Sequence, residues 1–349
     1  MLNYLLIENI FLKSLICLLT SYLLGFFGIK SFLCYLKEKE ICRQPIRQSG
    51  PQTHQAKKNT PTMGGIFIVL ATLITTLLFL DLNNQYVWIA SFVFISFALI
   101  GLTDDLFKVM KKNTDGFRGS IKLIIQFTII GVAFLWLGSV DQVHFQNKIF
   151  IPINHGHWIS LGLVLFVLFV TFVIVGTSNA LNLTDGLDGL VSVPTIINLI
   201  CLSFLVFVAS NPLMAKEFFV PFIANTKELI FFCIALIGAV LAFLTFNLKP
   251  AKIFMGDVGS LAMGSVLGLI AIIIKQEVIF FVISLLFVIE AASVILQVGS
   301  YKIRKKRIFL MAPIHHHFEK KGWGEKKVVR SFWVLSFIFA GLGMTLFFI

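Results

Sequence analysis

The chain has 349 residues, 58% of them hydrophobic and only 13% charged, and its mean hydropathy is +0.93. Soluble domains lie near half apolar and a quarter charged, so this composition excludes one and reads as an integral membrane protein. Lys and Arg outnumber Asp and Glu by 29 to 17, a net charge of +12, and where that surplus sits decides the topology.

In chain order, apolar runs long enough to cross a bilayer as helices fall at 14–36, 64–81, 87–106, 121–139, 158–177, 190–210, 228–246, 259–275, 278–300 and 331–348. The expectation is an all-α integral membrane protein of ten transmembrane helices, a single polytopic domain over residues 1–349. Its extramembrane pieces, about thirty residues at most, are too short to bury cores of their own. Chemistry therefore belongs at the membrane surface. The opening "MLNYLLIENIFLK" lacks a basic region and a small-residue cleavage site, so no cleavable signal peptide is expected. Cys17, Cys34, Cys42, Cys201 and Cys233 are scattered, odd in number and without a CxxC, and read as small apolar residues.

Of the 29 basic residues, 23 fall in 37–63, 107–122, 247–258 and 301–330, which are alternate loops. Positively charged loops stay in the cytoplasm, so both termini are expected outside the cell and these four loops inside. All the acidic and histidine-rich motifs fall on that same cytoplasmic side.

In "GLTDDLFK", Asp104 and Asp105 stand at the expected inner end of the third span. Adjacent carboxylates at a helix C-terminus oppose the helix dipole, so the pair is either a solvated end or a pair that needs a cation or a proton nearby. "GTSNALNLTDGLDGL" reads as a turn free of Lys and Arg that holds Asn179, Asn182, Asp185 and Asp188. It lacks the acid ladder and final Glu of a calcium loop. Asp185 and Asp188, three apart, share a face if a helix begins there. In "FMGDVGS", Asp257 opens a helix among small residues, where an anion site or a magnesium-bridged phosphate fits, although ordinary N-caps look alike.

"MAPIHHHFEKKGW" places His315, His316 and His317 in a basic loop about thirty residues from the end, too far inside for a tag. Three consecutive residues cannot easily supply a tetrahedral zinc site, and phosphate hydrogen bonding suits them better. Carboxylates for a cation beside Lys, Arg and His for phosphate are what a magnesium–phosphate substrate demands. The acidic cluster and the lack of a soluble binding module argue against nucleic acid.

The stretches "KKNTPTMGG", "GLTDDLFK", "NALNLTDGLDGL", "FMGDVGS" and "APIHHHFEKKGW" follow the order and spacing of the phospho-N-acetylmuramoyl-pentapeptide transferases. The chain resembles that family along essentially its whole length. The acidic elements resemble the wider polyprenyl-phosphate N-acetylhexosamine-1-phosphate transferase superfamily, while "TPTMGG" and "APIHHHFE" resemble the muramoyl-pentapeptide branch. Asn59 departs from the Gly expected there.

The resemblance implies a multi-pass enzyme of the bacterial cytoplasmic (inner) membrane, a homodimer, with its active-site cleft on the cytoplasmic face. It implies transfer of phospho-MurNAc-pentapeptide from UDP-MurNAc-pentapeptide to undecaprenyl phosphate, giving lipid I and UMP, with Mg2+ as cofactor. By position, Asp257 resembles the metal ligand, with Asp104 and Asp105 as further candidates. Asp104 also resembles the proposed base on the lipid phosphate, and Asp105 its neighbour. Asp185 and Asp188 match acids of the active-site and nucleoside region, and Asn182 stands in the same motif. Phe254 matches an aromatic that stacks on uracil, and Gln297 a uracil contact. Lys57, Lys122, His315, His316 and His317 match residues that line the cleft. The lipid phosphate loses its second proton near pH 6, so it is largely a dianion at neutral pH and needs little help from a base. Asp104 as base and Asp104 as a positioning group both stand at this point. Glu290, inside the ninth span and seven residues before Gln297, is a functional candidate without an assigned role.

A relative that transfers GlcNAc-1-phosphate is the nearest alternative, and "APIHHHFE" favours the muramoyl substrate. A cation-coupled transporter would place ionisable residues near mid-span, where charges are scarce and Glu290 is the main exception. A non-catalytic scaffold leaves the acidic constellation without explanation.

Overall fold

The computed structural model describes residues 9–39, 60–111, 116, 118–141, 147–152 and 156–348. The elements in chain order begin with α1 (Ile10–Lys39), α2 (Gly65–Phe79), α3 (Gln85–Lys111) and α4 (Gly119–Val140). A hairpin of β1 (Lys148–Ile151) and β2 (His157–Ser160) leads to α5 (Gly162–Thr184), α6 (Ser192–Ala209) and α7 (Pro212–Glu217). Then come α8 (Glu228–Asn247), α9 (Gly256–Ile273), α10 (Glu277–Ile283), α11 (Leu285–Arg304), α12 (Ile314–Lys320) and α13 (Glu325–Phe348). Among the described residues nine helices are long and apolar enough to cross a membrane, and α2, at 15 residues, is a shorter apolar helix.

Several expected boundaries move. Residues 158–160 belong to β2, not to the fifth span; the strands pair antiparallel and Phe150 meets Trp158 at 5.3 Å between ring centroids. The all-α expectation therefore gains one small hairpin. The third span continues past 106 to Lys111, and the fifth past 177 to Thr184. The expected ninth span, 278–300, breaks at Ser284 into α10 and α11, and α11 then runs on to Arg304. Polar residues end a hydropathy run, but they do not end the i→i−4 ladder that defines the helix.

The centre of the bundle is α9, whose residues from Val258 to Ile273 are all buried against α3 and α5. Without water in the bilayer, helices associate through close packing, and small residues let backbones approach. Gly65 of α2 and Gly259 of α9 meet backbone to backbone, and a Cβ at Gly101 of α3 would run into the Asp257 carbonyl oxygen. These contacts hold the first turn of α9 against the last turns of α3.

A partly buried ion pair ties Lys13 of α1 to Glu228 of α8. Lys13 Nζ lies 2.9 Å from both oxygens of Glu228, which also accepts the Asp81 N–H at 3.0 Å. Breaking this partly buried pair strands the other charge, so Glu228→Ala is expected to destabilise the fold by about 2 kcal/mol, between the exposed and the fully buried case. Adding Lys13→Ala should recover most of that loss. Urea unfolding in detergent of the two single variants and the double variant measures this, and additive losses would contradict it.

Candidate active site

Four segments meet at the end of α3. Asp104 and Asp105 lie inside the helix, not at its C-terminus as expected, so the last turn with Lys108 and Lys111 follows them. The i, i+4 spacing brings Lys108 Nζ to 2.6 Å from Asp104 Oδ2, and the same ammonium lies 3.9 Å from Asp105. Asp105 turns the other way and accepts the Val258 N–H of α9 at 3.3 Å. Both side chains are 3% exposed.

Asp257 sits in the first turn of α9, where the helix dipole favours a carboxylate. Gly256 precedes it with φ +77°, and a Cβ at that position would strike the Asp105 carboxylate. Lys122 Nζ reaches Asp257 Oδ2 at 2.8 Å and Lys108 reaches it at 3.2 Å. Asn182 donates its side-chain N–H to Asp257 Oδ1 and to Ser260 Oγ, each at 2.8 Å. Asp104, Asp105 and Asp257 each offer an oxygen within 4.8 Å of the others, a set of hard donors that could hold a divalent cation.

A fourth acid stands nearby. The Asp185 carboxyl is pushed well above the ordinary aspartate range, first by lost solvation and then by the charges of Asp257, Asp105 and Asp188. A raised value means that the folded state holds its proton more tightly than the unfolded chain. Its contribution to stability is therefore intact below the ordinary aspartate value and is lost as pH climbs through the raised one. Asp185→Asn should flatten that fall in the metal-free protein, and thermal melts across acidic to neutral pH check it.

The remaining candidates divide. Asn182 lies on α5, not in a turn, and so does Asn179, which binds Gln126 Oε1 at 3.0 Å away from the acids. Helix α6 begins only at Ser192, so Asp185 and Asp188 do not share a helical face. Asp188 is instead a buried strut: it accepts the Ala251 N–H at 3.1 Å, and its own N–H donates to Glu325 at 3.2 Å. It borders a cavity of about 320 Å³ shared with Lys249, Glu325, Lys326, Arg330 and Trp333.

Phe254 pairs its backbone with the "TPTMGG" stretch, through Pro61 and Gly64, at 2.8 Å each. Gln297 spends its amide on the 308–309 backbone, accepting from both N–H groups and donating to the Phe309 carbonyl. Lys57 lies outside the described residues.

The three histidines are on a short helix, α12, rather than a loop, and successive side chains diverge to different partners. His315 Nδ1 meets Glu290, His316 Nδ1 meets Glu319 at 2.7 Å, and His317 Nδ1 accepts the Leu310 N–H at 3.1 Å. Loss of solvation and then Lys321 hold the His317 imidazole below its ordinary value. Lys108, counted in the sequence only as a loop cation, is the residue that sequence reasoning missed. Its i+4 spacing from Asp104 was the available signal.

The pattern of glycosyl transferase family 4 matches residues 86–275, the stretch that contributes Asp104, Asp105, Lys108, Lys122, Asn182 and Asp257. Signature 1 of the phospho-N-acetylmuramoyl-pentapeptide-transferases matches residues 57–69. Proteins of that name from Rickettsia felis and Rickettsia akari are 44% and 45% identical to this chain, each over 337 residues, 96% of it and 91% of the relative. One from Francisella tularensis subsp. tularensis is 44% identical over 345 residues, 98% of this chain and 93% of its own. The chain belongs to the phospho-N-acetylmuramoyl-pentapeptide-transferase family. It is accordingly a transferase of the peptidoglycan-synthesis enzymes, a protein of the bacterial inner membrane. The family pattern ends before α10, so the histidine helix lies beyond it.

Proposed function

We propose that this protein transfers phospho-MurNAc-pentapeptide from UDP-MurNAc-pentapeptide to undecaprenyl phosphate, forming lipid I and releasing UMP. The observation that carries the reading is the meeting of three carboxylates and two lysines at the start of α9. Asp257 would hold Mg2+, with Asp104 and Asp105 completing the oxygen set. When bound, magnesium supplies charge neutralisation at the diphosphate oxygens.

An oxygen of the lipid phosphate attacks the sugar-linked phosphorus in line, the bond to the UMP oxygen breaks, and UMP leaves. The chain's own residues bring two anions together and offset their repulsion. Lys108 and Lys122 are placed to pass from carboxylates to phosphate oxygens, while Asn182 keeps Asp257 Oδ1 oriented. Asp104 carries Lys108 at 2.6 Å and Lys122 at 3.6 Å, which favours a positioning role over that of a base. The attacking phosphate, already largely a dianion, has little need of one.

The reading places ten spans in the membrane, α2 and the broken α10–α11 among them, with both termini outside and the acidic end in the cytoplasm. A reporter fused after Ile349 should read as non-cytoplasmic. The active form is taken as a homodimer.

The test follows UMP release by purified protein with undecaprenyl phosphate, Mg2+ and either UDP-MurNAc-pentapeptide or UDP-GlcNAc. Release with the muramoyl substrate alone supports the reading. Release with UDP-GlcNAc alone moves the chain to the GlcNAc-1-phosphate branch, and release with neither ends the proposal.

A further inference from the structure

Glu290 is an ionisable residue in the wall of the bundle that the transfer scheme above does not use. It lies on α11, is fully buried, and faces the His315 ring and the Ile314 N–H. Its Oε1 is 3.0 Å from His315 Nδ1, and its Oε2 accepts the Ile314 N–H at 3.0 Å. The two partners meet different oxygens of Glu290, so an amide there would turn its NH2 group toward one of them. This pairing engages the Nδ1 edge of the ring and leaves the Nε2 edge to face elsewhere. His315 is likewise fully buried, and its Nε2 has no hydrogen-bond partner among the described residues.

Nε2 instead points at a glycine. A Cβ built on Gly186 would overlap His315 Nε2, and it would come within 2.9 Å of Cε1. The ring edge therefore occupies the space that any side chain at 186 would need. Gly186 is the residue after Asp185, in a tight turn where its N–H donates to the Thr184 carbonyl at 2.8 Å. Among the described residues the hydrogen bond of the His315 ring goes to Glu290, and its far edge meets the turn that carries Asp185.

Stability alone does not explain the arrangement. A buried polar nitrogen without a hydrogen-bond partner costs the fold its lost hydration. An apolar pair of the same volume would usually hold α12 to α11 at least as well as a buried His–carboxylate pair.

We propose that Glu290 is a positioning residue for the transfer: it fixes the His315 ring so that its Nε2 edge buttresses Gly186 and holds the Asp185 turn beside the acidic cluster. The role in transfer rests on the proposed function; the mechanical link does not. His315 itself, expected from the resemblance to line the cleft, acts here as the wedge between α11 and the turn.

Hydrogen exchange of the purified full chain reads the link without reference to turnover. In Glu290→Gln, amides of 184–190 should exchange about tenfold faster, while those of α9 stay as in the wild type. A role confined to seating α12 would loosen 314–320 and leave 184–190 unchanged, which would overturn the proposal.

Turnover then reads the consequence. At a temperature where melts show the variant folded, Glu290→Gln should lose about thirtyfold in kcat with KM for the UDP substrate little changed, as for a small displacement of a reacting group. Gly186→Ala should show the same loss. His315→Asn keeps an N–H for Glu290 but vacates the ring edge, so Gly186→Ala combined with His315→Asn should regain about tenfold over Gly186→Ala alone. Wild-type kcat in Glu290→Gln, or no recovery in the double variant, would contradict the proposal. A wild-type protein without turnover would instead count against the transfer reading, with the exchange result still deciding the link.

Discussion

Asp257→Asn is expected to lower kcat by about a thousandfold while the protein still folds, the scale seen when a preorganised charge at a reacting centre is removed. Both oxygens of this carboxylate are held by donors, Oδ1 by Asn182 and Oδ2 by Lys122 and Lys108. Asparagine has nearly the same shape. It can satisfy Asn182 only by turning its own NH2 group toward the two lysines, where donor faces donor. It also removes the negative charge that the α9 N-terminus and both ammonium groups surround. At 15% side-chain exposure, against 3% for Asp104 and Asp105, Asp257 is the acid of the three most open to an incoming ligand. UMP release under saturating substrates measures the effect, and a loss below about tenfold would refute this role for Asp257.

Gly101→Ala should be nearly as damaging, although position 101 carries no chemistry. Its Cα faces the backbone at Asp257 and Val258, and one added methyl would collide with the Asp257 carbonyl. Backbone cannot swing aside as a flexible side chain can, so α3 and α9 must separate. Overpacking of this kind costs about 1–3 kcal/mol. The larger effect is on geometry, because α3 carries Asp104, Asp105 and Lys108 while α9 carries Asp257. A shift of about 1 Å between them is enough for a hundredfold loss in rate. Melting and kcat measured together separate the two consequences: a modest fall in stability with a large fall in kcat is expected. Normal turnover in Gly101→Ala would show that α3 and α9 need not touch there.

Much of this was legible in the sequence because a membrane imposes simple rules. Long apolar runs gave the helices, and the acids that meet in space were already conspicuous in a chain with so few charges. The failures have physical causes. Hydropathy stops at the first polar residue, so Lys108, Asn179 and Asn182 read as loop residues although the helices continue through them. Lys108 thereby lost its place among the acids. Ser284 is a single small polar residue that barely lowers the mean hydropathy of its apolar run, so the break between α10 and α11 left no trace there. The histidine triplet suggested three equivalent groups, whereas a helix turns each about 100° from the last. That rotation sends His315 inward to Glu290 and leaves His316 and His317 with other partners. Glu290 was visible as an anomaly, but its partner lay in another segment and could not be named from spacing.

Asp257, with Asp104 and Asp105, could hold a divalent cation, and the transfer proposed above depends on its doing so. The most direct test is Mn2+ binding in place of Mg2+, followed by electron paramagnetic resonance on the purified protein in detergent, for the wild type beside Asp257→Asn. Saturable binding to the wild type, displaced by Mg2+ and weakened at least about tenfold in Asp257→Asn, is the expected result. Equal binding by both proteins would contradict it, and would place the cation elsewhere.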